Sequence, residues 1–98
     1  MPSFRVTMTV GMLKPGIAPD RVLPTAADAA RELTTVEAAD LGIVAGVPRI
    51  TIRYTADDAE LARQLGEHIA AATAQAAEVL VWKVTERVKG RWYVVRAH

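Results

Sequence analysis

The segment Val47–Ala56, VPRITIRYTA, constrains the fold more than any other part of the chain. Successive side chains of a strand point to opposite faces, so Ile50, Ile52 and Tyr54 share one face. Arg49, Thr51, Arg53 and Thr55 share the other. One face belongs in a core, and the other is a stripe of guanidinium and hydroxyl groups. Such a strand needs a sheet that is packed on one side.

The rest of the chain supplies that sheet. Phe4 to Val10 alternates in the same way, with Phe4, Val6, Met8 and Val10 opposed to Arg5, Thr7 and Thr9. Gly11 to Asp20 contains Pro15, Gly16 and Pro19 and reads as a loop. The spacing of Leu23, Ala26, Ala27, Ala30 and Leu33 predicts a helix over Val22 to Thr34, with Pro24 in its first turn. Val36 to Val44 is a strand that turns Ala39, Leu41 and Ile43 inward and Ala38, Asp40 and Gly42 outward. Gly42 marks it as an edge or a bulge. Ala45-Gly46 joins it to the next strand as a hairpin. The parity places Leu41 and Ile43 with Ile50 and Ile52, and Asp40 with Arg49 and Arg53.

A second helix opens near Thr55-Ala56-Asp57-Asp58, with Thr55 or Asp57 as its cap, and runs to about Ala77. Leu61, Leu65, Ile69, Ala72 and Ala76 form its apolar face, and Gly66 within it points to close packing. Val79 to Arg87 is a strand with Leu80, Trp82 and Val84 on one side and Lys83, Thr85 and Arg87 on the other. Lys89-Gly90 turns the chain into a last strand, Arg91 to Arg96. Trp82 and Trp92 read as core and edge anchors, and one of Trp92 and Tyr93 must lie outside.

The order is β-α-β-β-α-β with an added C-terminal strand, in one α+β domain spanning residues 1–98. This order resembles the ferredoxin-like split βαβ fold over residues 4 to 88. The resemblance implies an antiparallel sheet with both helices on one face and the first strand between the third and fourth.

Composition narrows the chemistry. The chain has no cysteine, which removes disulfides, thiolate catalysis and cysteine-based zinc sites. Its net charge of +1 means that any electrostatic partner must be met by a local patch. The opening MPSFRVTMTV alternates too closely for a signal peptide or a spanning helix, so a cytoplasmic location without membrane contact is expected. Among nucleophiles and bases, Ser3 is alone at a terminus, His68 has no second ligand at i+4, and His98 is terminal. Glu37 and Asp40 fall on opposite faces of a regular strand. No phosphate loop or dinucleotide fingerprint is present, and no cofactor or metal is expected.

What remains is a surface. Arg5, Thr7, Thr9, Arg49, Thr51, Arg53, Thr55, Lys83, Thr85 and Arg87 converge on the helix-free face, where Asp40 would sit near Arg49 and Arg53 and offset part of the charge. The plainest reading is a solvated sheet face with good β-propensity. The second is a contact surface, helped by Val79, Val81, Ala38 and Val44 on the same side and by exposed strand edges. On that reading the chain is a non-enzymatic assembly module. It would act as a homo-oligomer, as part of a phage or virus particle, or with another protein. The third reading is binding of nucleic acid or another polyanion, without the central aromatics that RNA-binding sheets use. The fourth is a ligand or enzyme pocket beside His68.

Overall fold

The computed structural model of the chain describes residues 1–96; His98 lies outside the described residues. Strand β1 spans Ser3–Leu13, helix α1 Val22–Arg31, strand β2 Val36–Val44 and strand β3 Val47–Thr55. Helix α2 spans Ala59–Thr73, strand β4 Ala77–Val88 and strand β5 Arg91–Val94. All five strands are antiparallel in one sheet of order β2-β3-β1-β4-β5. The first strand therefore lies between the third and fourth, as the element order implies. The last strand pairs with β4 of its own chain.

The core follows from the two alternating strands. Val6 sits opposite both Ile52 and Val84, and Met8 opposite Ile50 and Trp82. Phe4, Val6, Met8, Ile50, Ile52 and Tyr54 are completely buried. Each large apolar side chain contributes about 1.5–3 kcal/mol on burial. They pack under Ala62, Leu65 and Ile69 of α2 and under Ala26, Ala27 and Ala30 of α1, whose small side chains let that helix approach the sheet. Closest of all is Gly66. A Cβ there would clash with Val84 Cγ2 and lie 3.3 Å from the Tyr54 hydroxyl. That hydroxyl donates a 2.6 Å hydrogen bond to the Ala62 carbonyl, so the one polar side-chain atom of the buried Tyr54 is satisfied.

Both hairpins close with two-residue turns. Ala45 and Gly46 have φ of 52° and 78°, and Lys89 and Gly90 have 51° and 80°. Positive φ at both central positions gives a turn whose twist matches its flanking strands. Val44 faces Val47, and Val88 faces Arg91, so both registers are set at the turn.

Several sequence expectations are corrected. β1 continues through Gly11, Met12 and Leu13, and a 3-10 turn occupies Pro19–Arg21 within the expected loop. α1 ends at Arg31, which leaves Leu33 exposed. The α2 cap is Asp58, whose carboxylate accepts from Leu61 N at 2.8 Å, and not Thr55 or Asp57. α2 stops at Thr73, and Ala77 already belongs to β4. Its buried face is Ala62, Leu65, Gly66, Ile69, Ala70 and Thr73, while Leu61 is exposed. β5 ends at Val94.

The larger corrections come from bulges. The register between β1 and β4 slips so that Thr9 faces Val81 while Val10 faces Val79. Val79 joins buried Val10 on the helix side, and the extra residue, Leu80, approaches Gly11 on the open side. The expected sides of Val79 and Leu80 are therefore exchanged. β2 slips between Val36 and Ala38, where Val36 faces Tyr54 and Ala38 faces Arg53. The added residue, Glu37, turns toward Arg53, so Glu37 and Asp40 share the open face.

Candidate functional site

The register lays out the open face in rows. Gly42, Arg49, Thr9 and Val81 form one row across β2, β3, β1 and β4. Asp40, Thr51, Thr7 and Lys83 form the next. Ala38, Arg53, Arg5, Thr85 and Val94 form a third, which reaches β5. Arg5 and Arg53 are thus directly opposite each other, a like-charge pair that is unfavourable by itself. Two contacts offset it. The Arg5 guanidinium carbon lies 3.9 Å from the Trp92 ring centroid, and that of Arg53 lies 5.5 Å from it. Arg53 Nε also donates to Glu37 Oε1 at 3.1 Å, and the same oxygen accepts from Ser3 Oγ at 2.7 Å. The acid that neutralises this face is Glu37, in place of Asp40, because of the β2 bulge.

Beside this stack the face is concave. A cavity of about 310 Å³ is lined by Arg5, Thr7, Arg49, Thr51, Lys83, Thr85, Trp92 and Val94. It holds three cations, three hydroxyls and no carboxylate. A smaller hollow of about 200 Å³ continues past Thr9 and Val81 and shares Thr7, Arg49 and Lys83 with it. Among the described residues, Arg5, Arg49, Lys83 and Arg87 make no ion pair with a carboxylate. Arg87 is exposed opposite Trp92, outside the cavity.

Most of the sheet-face residues expected from the sequence are therefore brought together, and three contributors were missed. Trp92 and Val94 wall the cavity, and Glu37 holds Arg53. The signal for the first two was present in the Lys89-Gly90 turn. A two-residue loop pairs Val88 with Arg91, which puts Trp92 beside Arg87 on the open face. His68 is exposed on α2 and lines none of the cavities described here. Among the described residues, no three His, Asp or Glu side chains are grouped to hold a metal ion. No described helix is long and apolar enough to cross a membrane.

A different surface lies at the end of the sheet where β1 and β2 finish and β3 and β4 begin. Met12, Leu13, Leu41, Ile43, Val44, Leu80 and Val81 are all exposed there. Leu41 and Ile43 lie on the helix side of β2, as parity requires, yet they are 53% and 67% exposed because neither helix extends over them. Leu41 also lines an apolar cleft of about 220 Å³ with Leu13, Val22, Pro48 and Ile50. β2 is an edge strand, and its segment Asp40–Val44 contains no Lys, Arg or Pro to block pairing.

Comparison of the chain with family models, with curated proteins and with solved structures returned no match.

Proposed function

We propose that this chain is a self-assembling module with a ferredoxin-like core, and that a second copy docks along the β2 edge. The element order and the central position of β1 support the fold reading. The observation that carries the assembly reading is the unprotected edge Asp40–Val44, with Leu41 and Ile43 largely exposed beside it.

The register of such a contact follows from the residues. Antiparallel pairing of β2 with itself about a two-fold axis is self-complementary. An axis at Asp40 would set two carboxylates against each other, which is unfavourable. An axis at Gly42 sets Leu41 of one copy against Ile43 of the other and Asp40 against Val44. The second register buries aliphatic surface on the helix side and separates the acids.

Association costs about 4–15 kcal/mol before any contact is counted, so a patch of this size supports a concentration-dependent dimer and not an obligate one. Light scattering across the micromolar range tests it. The expected result is a mass that rises from one chain to two, and that stays at one chain in the Leu41→Lys, Ile43→Lys double variant. A wild-type chain that remains monomeric at high micromolar concentration rejects the reading.

A further inference from the structure

The open-face cavity carries a second, independent inference. We infer that it is a binding site for a small organic phosphate, with the phosphoryl group on Arg49 and Lys83 and the organic part against Trp92 and Val94. A dimer formed along the β2 edge leaves this face uncovered, so the inference does not depend on that contact.

Three features point to this chemistry. First, the lining is charged with one sign: Arg5, Arg49 and Lys83 line it and no carboxylate does. An overall charge of only +1 makes this a local arrangement and not a property of a basic chain. Second, the cations are differently engaged. Arg5 lies against Trp92, and Arg53 is held by Glu37, whereas Arg49 and Lys83 have neither a ring nor a carboxylate as partner among the described residues. A guanidinium fork and an ammonium point charge are the two usual donors to phosphate oxygens, and Thr7 and Thr51 add hydroxyls between them. Third, the volume of about 310 Å³ exceeds what a bare phosphate fills, and the remainder is bounded by an indole and a valine. A charged head with an apolar or aromatic attachment matches both halves.

The test is isothermal titration of the full chain at low salt with three probes: inorganic phosphate, phenyl phosphate and oligothymidylates of increasing length. Phenyl phosphate is expected to bind saturably at one site per chain and more tightly than inorganic phosphate. The Arg49→Gln, Lys83→Gln variant should weaken phenyl phosphate by about tenfold or more, the loss of charge-assisted hydrogen bonds. Trp92→Leu should remove the preference of phenyl phosphate over inorganic phosphate. Arg87→Gln, outside the cavity, should change neither. Arg49 and Lys83 are exposed, so the double variant should keep the wild-type melting temperature without ligand, and its weaker binding then reports the site alone. Absence of saturable phenyl phosphate binding overturns the inference. So does binding that the double variant retains, or binding seen only with oligothymidylates and growing with their length, which would mark the face as a track for a nucleic-acid strand.

Discussion

Arg5 and Trp92 stack at 3.9 Å although β4 separates their strands. The indole reaches across its neighbour and covers the one place where two guanidiniums stand opposite each other on β1 and β3. This end of the open face is therefore tied together from Glu37 on β2 to Trp92 on β5.

That contact should be measurable as a coupling. A double-mutant cycle of Arg5→Ala and Trp92→Ala, followed by urea unfolding, is expected to return about 0.5–1 kcal/mol of favourable interaction at this half-exposed site. Arg53→Ala in the Arg5→Ala background should bring no gain from relieved repulsion, because the like-charge opposition is already gone, and should lose the ion pair with Glu37. A coupling of zero would mean that the ring and the guanidinium are merely adjacent.

Gly66 provides a sharper test of packing. Replacing it by Ala improves helix propensity by about 1 kcal/mol. Against that, the new Cβ meets Cγ2 of Val84, a buried β-branched side chain that is stiff at χ1. Overpacking of this kind costs about 1–3 kcal/mol, so the clash outweighs the propensity and Gly66→Ala should lower the urea midpoint. Val84→Ala makes the space, and the double variant should be less destabilised than the two single effects added together.

Burial raises the Tyr54 hydroxyl above its ordinary pKa of 10.0. The neutral phenol is thereby favoured in the folded state, and the stability this represents is fully present below the unfolded value. As pH rises above it, the unfolded chain releases a proton that the folded chain retains. Stability should then fall by about 1.4 kcal/mol per pH unit from this residue. Tyr54→Phe should cost about 1 kcal/mol near neutral pH, through loss of the hydrogen bond to Ala62, and flatten the alkaline decline. Thermal melting of both proteins from pH 8 to 11.5 checks the two slopes.

How far the fold was legible depended on where an element lay. Val6, Met8, Ile50 and Ile52 read correctly because two-residue alternation is uninterrupted where the helices sit over the sheet. Leu80 and Glu37 did not, because each adjoins a bulge that adds one residue to its strand without a Gly or Pro to announce it. Leu41 and Ile43 show a second limit. Parity states which side a residue faces, and the length of the covering helix decides whether anything meets it. The site was legible as a set of cations and hydroxyls. Its concavity was not, since that depends on how far Trp92 reaches across β4 toward Arg5.

β1 is the middle strand of the sheet, and Phe4 is paired with Tyr54 on one side and Glu86 on the other. Each of the two hairpins involves neighbouring segments and can form within about 1–10 μs. The first strand has no such local partner. Its place is defined only when segments far along the chain have arrived on both flanks, and contacts of long sequence separation are slow to form. Until then the central strand of the sheet, which carries Phe4, Val6, Met8 and Val10 into the core, waits with both edges open, so the interval between hairpin formation and capture of β1 is when the folding chain is most exposed to association with its neighbours.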